Sequence, residues 1–199
     1  MNGKGKYLFI LCFSFFLVSC QNKSDGNFIA NTSIIPKPQL TQLKAGYLET
    51  TEFIIDENSK FVDHIDFFEN QFQNYSQKKG KYFKTGIGEN LIVNVNNEGL
   101  QIKGNYKLKV DEEKILIEGN QKGIFYGFQT LFQLILLNNE NFKENFKIPC
   151  LEIQDSSSFS HRGFLMDCCR HFFSVETIKK YIDLLAFYKM NVLHWHLTE

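Results

Sequence analysis

Two groups of chemically able residues fall in the last forty positions of this 199-residue chain. The first is His161-Arg162-Gly163-Phe164-Leu165-Met166-Asp167, followed by Arg170-His171-Phe172-Phe173. The second is Asn191-Val192-Leu193-His194-Trp195-His196-Leu197-Thr198-Glu199. Read as a strand, the second group puts His194, His196 and Thr198 on one face and Trp195 on the other, because side chains alternate. Polar rings at the end of an otherwise apolar strand are costly to bury unless they are hydrogen-bonded. They mark either the wall of a site or satisfied core histidines. Two imidazoles on one strand face also make a workable pair of zinc ligands, so a metal-dependent barrel hydrolase is one reading.

These residues need a frame. Phe164-Leu165-Met166 reads as a short apolar strand. Ser174 can cap a helix, with Glu176 in its first turn favoured by the dipole. That helix carries Ile178, Ile182, Leu185 and Lys189 on one stripe, widened by Leu184 and Phe187. Asn191 fits its C-terminus, and Val192 to Leu197 forms the next strand. A β-α-β unit with a crossover of this length is the repeat of a parallel sheet or barrel. In a barrel the carboxyl ends of the strands form the active face, where Thr198 and Glu199 would sit.

Asp155-Ser156-Ser157-Ser158 is a linker ahead of that unit, and residues 31–154 read as a small accessory α/β domain. Its opening, Ser33-Ile34-Ile35-Pro36-Lys37-Pro38, is extended because each proline forces its predecessor out of the helical region. Phe53-Ile54-Ile55 and Leu91 to Val95 are predicted strands. Between them Phe61, Ile65, Phe68, Phe72 and Tyr75 recur at steps of four and three, one face of a helix over 60–77. Tyr106 to Val110 and Lys114 to Glu118 flank the acidic turn at Asp111 and suggest a hairpin. The helix at Gly123 to Leu134 is apolar around most of its circumference and should be buried. Gly123 and Gly127, four apart, let a neighbouring sheet approach one face closely. Ile148 to Ile153 is the last strand of this domain.

The first twenty residues read as an export signal. Lys4 and Lys6 precede a twelve-residue apolar run, Tyr7 to Val18, too short for the ~20 residues that span hydrocarbon. Leu17-Val18-Ser19-Cys20 resembles a bacterial lipobox, which makes Cys20 the expected lipidated first residue of the mature protein. Residues 21–30 then form a polar tether. The expected location is the bacterial envelope, with a lipid anchor at Cys20 holding the protein to a membrane. Cys150, Cys168 and Cys169 remain, an odd number that argues against a disulfide framework. The adjacent pair reads as small apolar side chains on a strand.

Composition adds exclusions. Lys+Arg and Asp+Glu are both 22, so the net charge is zero and no nucleic-acid partner is expected. Hydrophobic content of 43% is enough for a core. The 21 phenylalanines read first as core filling rather than as an exposed sugar platform.

HRGxxxD followed by RHFF, a helix and NVLHWHLT resembles the start of the catalytic barrel of glycoside hydrolase family 20, the β-N-acetylhexosaminidases. IIPKP and the stretch from Gly123 to Leu134 resemble the family's accessory domain. The resemblance implies a small α+β accessory domain at 31–154, then, at 158–199, the first β-α-β unit of a (β/α)8 barrel that is truncated here. It implies exo-acting, retaining hydrolysis of terminal N-acetylhexosamine from a glycan, without a cofactor. The substrate's own acetamido group serves as nucleophile, an exception to the two-carboxylate scheme. The family's Asp-Glu pair is expected downstream, so a fragment ending here should be inactive. Arg162 matches a family arginine that hydrogen-bonds sugar hydroxyls, work suited to a fixed fork of donors. It would reach the pocket from below its strand, and a salt bridge with Asp167 is the alternative. His196 and His194 shape the site wall, and Glu199 stands where many members have Asp. Asp167 and His171 match positions of mainly structural work. If the 199-residue form is the natural product, a surface-tethered glycan-binding lipoprotein is the alternative.

Overall fold

The computed structural model describes residues 28–56, 59, 61, 64–77, 79–95, 105–139 and 145–198. The expected export signal, Cys20, most of the expected tether and Glu199 lie outside the described residues. The elements are β1 Leu40–Thr50, β2 Phe53–Ile55, α1 Ile65–Ser76, β3 Phe83–Thr85, β4 Leu91–Val95 and β5 Tyr106–Val110. They continue as β6 Ile115–Gly119, α2 Gln121–Asn138, β7 Phe146–Asp155, β8 Gly163–Asp167, α3 Val175–Phe187 and β9 Val192–His196.

The accessory domain is a five-stranded sheet in the order β1-β7-β5-β6-β4. The hairpin around Asp111 forms as its pattern requires, pairing Val110 with Ile115 and Tyr106 with Gly119. Asp111 closes the turn by accepting from the amides of Glu113 and Lys114. β4 joins β6 in parallel, while β1, β7 and β5 run antiparallel to their neighbours. A short parallel pair, β2 with β3, completes the domain.

The helices α1 and α2 lie against one another and against this framework. α2 starts at Asn120, whose side chain accepts from the Gly123 amide at 2.8 Å. Its first two turns need glycine. A Cβ at Gly123 would sit 1.8 Å from the Asn105 carbonyl oxygen, and one at Gly127 would sit 2.6 Å from a methyl of Ile117. The sheet comes that close because nothing projects there. The core that results is aromatic. Phe53, Phe72, Phe83, Phe128, Phe132 and Phe146 are fully buried, and Phe68 stacks on Phe128 at 3.8 Å. Each such burial contributes about 1.5–3 kcal/mol before entropy is counted.

The second unit is β8-α3-β9, with β8 and β9 parallel and Gly163 opposite Val192 through Asp167 opposite His196. Ser174 caps α3 by accepting from the Thr177 amide. Phe164 and Met166 turn toward the helix side, where Phe164 stacks on Tyr181 of α3 at 5.4 Å.

One strand has no counterpart in the sequence pattern, and three expectations need correction. β1 lacks apolar alternation because it is an edge strand held by its ladder to β7, with only Leu48 buried in it. The helix read over 60–77 is α1 from Ile65 to Ser76, with Phe61 in a turn ahead of it. α3 ends before Lys189, which takes a left-handed φ of 59°. Met190 donates to the Leu185 carbonyl and Lys189 to that of Ala186, a Schellman stop, so Asn191 is not the cap. Cys168 and Cys169 lie in a turn after β8, because Asp167 accepts from the amides of Cys169 and Arg170 and bends the chain there.

Candidate active site

Parallel pairing brings the carboxyl ends of β8 and β9 side by side. Residues directly opposite in a sheet share a face, so Leu165 goes with His194, and Asp167 with His196. His194 and His196 therefore sit on one face, as alternation required. Trp195 lies on the other, its indole N–H 3.1 Å from the Cys168 sulfur.

Asp167 organises this end. One carboxylate oxygen accepts from the amides of Cys169 and Arg170 at 3.1 and 3.0 Å. The same oxygen lies 3.3 Å from His196 Nδ1, which donates to it in the tautomer protonated there. The other oxygen faces the Arg170 guanidinium at 3.4 Å. The hydrogen bond donated by the Arg170 backbone N–H, then that from His196 and the Arg170 charge, hold the Asp167 carboxyl below its ordinary value. An ionised carboxylate thus fixes both a ring and a cation at one strand end. Arg170 remains largely exposed, with 75% of its side chain accessible. Thr198 is exposed nearby. The motif RHFF by itself gives Arg170 no role. Its position just past the end of β8 was the signal that could have assigned one.

Arg162 lies at the opposite end of β8. Its Nε donates to the Lys189 carbonyl at 2.7 Å, one terminal nitrogen to the Phe159 carbonyl and the other to the Tyr126 hydroxyl at 2.7 Å. The guanidinium also sits over the Tyr126 ring, 5.2 Å from its centroid. The alternative salt bridge to Asp167 does not form, since Asp167 engages Arg170 and His196. Among the described residues no three His, Cys, Asp or Glu side chains gather where they could hold a metal ion.

Comparison with known proteins points one way. Residues 159–199 match the family model for the glycosyl hydrolase family 20 catalytic domain, and residues 31–156 match that for domain 2 of the same family. A beta-hexosaminidase of Porphyromonas gingivalis is 43% identical over 117 residues, covering 57% of this chain and 14% of the relative. The beta-hexosaminidase subunit beta of Mus musculus is 30% identical over 186 residues, covering 82% of this chain and 34% of the relative. Among solved structures, a GH20 exo beta-N-acetylglucosaminidase from Vibrio harveyi in complex with N-acetylglucosamine superposes with a TM-score of 0.74 at 29% identity. That match covers 87% of this chain and 27% of the other. A beta-N-acetylhexosaminidase from Bacteroides fragilis gives a TM-score of 0.67 at 27% identity, covering 83% and 32%. The chain thus spans roughly a third or less of the proteins it resembles.

Proposed function

The chain belongs to glycosyl hydrolase family 20, and from that premise we propose that it is the front part of an exo-acting β-N-acetylhexosaminidase. The observation that carries the proposal is the joint placement of Asp167, Arg170 and His196 at the carboxyl ends of two adjacent parallel strands. That is the end where barrel enzymes do chemistry. In this reading the acetamido carbonyl oxygen of the terminal sugar attacks the anomeric carbon as the glycosidic bond breaks. A general-acid glutamate, in sequence beyond residue 199, gives its proton to the departing oxygen. Water then opens the cyclic intermediate, giving net retention.

Within this chain, Arg170 is the cation placed to grip hydroxyls of the terminal sugar, with Asp167 holding it and His196 lining the wall. Arg162 would have to leave the Lys189 and Phe159 carbonyls and Tyr126 to do the same work. The test uses the protein extended to the length of its relatives and an aryl N-acetyl-β-glucosaminide. Loss of a hydrogen bond to a charged group predicts that Arg170→Ala lowers kcat/KM by roughly ten- to a hundredfold. Arg170→Lys should not restore it, because an ammonium lacks the fork. Activity unchanged by Arg170→Ala would remove Arg170 from the site. An extended protein that fails on every N-acetylhexosaminide but hydrolyses another glycoside, and loses that activity to a chelator, would replace the proposal with the zinc reading.

The proposal includes export and a lipid anchor at Cys20, supported by the basic start, the apolar run and Leu17-Val18-Ser19-Cys20. Cells fed a labelled fatty acid should label the protein, and Cys20→Ser should abolish the label. Equal labelling of that variant would count against the anchor.

A further inference from the structure

Between its two ends α2 is apolar apart from Gln129, Thr130 and Gln133, buried polar side chains that a core helix should avoid. Gln129 and Thr130 are fully buried, and Gln133 is 4% exposed. Buried polar groups are retained only where they find partners, and these lead, directly or through one neighbour, to α3 and the turn after it. Gln133 Nε2 donates to the Phe187 carbonyl at 3.0 Å while both ends of the amide also hold Ile35. Phe187 is the last residue of α3, so its carbonyl is one of the groups that a helix end leaves unpaired. Gln129 donates to Gln71 of α1 at 2.8 Å, and its amide oxygen lies beside the Tyr75 hydroxyl, which donates to the Asp183 carbonyl at 3.1 Å one turn earlier.

The turn itself is held the same way. Lys189 is 5% exposed, and its ammonium donates to Tyr106 at 2.9 Å and Asp155 at 3.3 Å. Thr130 lies 2.6 Å from the same Tyr106 hydroxyl, which also reaches Asp155 at 3.0 Å. A left-handed backbone and a buried charge are both unfavourable for lysine. Both are tolerated here because the Schellman turn aims the side chain at a ready pair of partners. On the outer side of the turn, the Lys189 carbonyl accepts from Arg162, whose guanidinium in turn reaches Tyr126 of α2.

We propose that this face of the accessory domain is a docking surface whose partner is the C-terminal end of α3, capping it and latching β8-α3-β9 through Lys189. The domain is then a seat for the barrel's first unit. The proposal does not depend on the sugar chemistry, since it concerns the far end of β8.

Hydrogen exchange read by mass spectrometry on the 199-residue chain tests it, with Lys189→Met and Gln133→Leu and, as control, the exposed Lys180→Met. Protection of the β8, α3 and β9 amides should fall about tenfold or more in each of the two variants, while β5 to β7 stay within about twofold of wild type. The control should match wild type. Unchanged protection in both variants overturns the proposal. So does an equal loss in β5 to β7, which would make these side chains part of the accessory core alone. A wild-type chain whose β8 and β9 amides exchange as if unfolded overturns it too.

Discussion

A single carboxylate, Asp167, decides the geometry of the candidate site. It ends β8, turns the chain, and holds Arg170 and His196 within reach of one another. Two arginines flank the strand and differ in what surrounds them rather than in type. Arg162 is engaged by carbonyls and a phenol, whereas Arg170 projects from the strand end. Residue-scale packing is as strict in the accessory domain. Gly123→Ala puts a methyl against the Asn105 carbonyl, a backbone atom that cannot swing away. We expect it to cost about 1–3 kcal/mol, seen as a lower urea midpoint with little change in slope. An unshifted midpoint would show that the backbone at Asn105 can yield.

The elements show how polar and apolar faces divide the work. The helix-bearing side of the five-stranded sheet is aromatic and dry. The other side carries Lys44 of β1, Lys107 of β5 and Glu152 of β7, with Glu152 3.4 Å from Lys44 and 2.9 Å from Lys107. Hydrogen bonds from Lys107, then from Gln154, draw the Glu152 carboxyl down from 4.5 to about 2. A depressed carboxylate contributes stability above its unfolded value and loses it as pH falls through its folded one. Between pH 4.5 and about 2, wild type should therefore lose stability more steeply than Glu152→Gln. Denaturation midpoints measured across that window check this, and parallel curves would exclude the pairing as an acid-sensitive contribution. α3 starts at the cap its sequence signals, Ser174, and α2 starts at Asn120.

At the scale of the molecule, the second unit leaves apolar surface in water. Leu165, Ile182, Leu184, Trp195 and Leu197 are each 47–56% exposed. A barrel needs about 250 residues to close over such faces, and one β-α-β unit also has two open strand edges. We expect the 199-residue chain to associate as its concentration rises and to show no turnover of aryl N-acetylglucosaminides. Sedimentation and a direct assay check both, and a monodisperse or active chain would contradict them. Much of this organisation was legible from residues alone. Apolar periodicity located most strands and all three helices, because burial of one face leaves its period in the sequence. Two motif blocks marked the family and the strand end that forms the candidate site. The sequence could not show β1, whose pairing lies in backbone bonds that leave little side-chain pattern. It put Arg162 before β8 and Arg170 after it, but not what surrounds each, because the Lys189 and Phe159 carbonyls and the Tyr126 hydroxyl meet Arg162 only in the fold. Lys189 read as part of a helix stripe. Only the tertiary structure, by bringing Asp155 and Tyr106 from distant strands to the end of α3, decided that it is a buried tie between two domains.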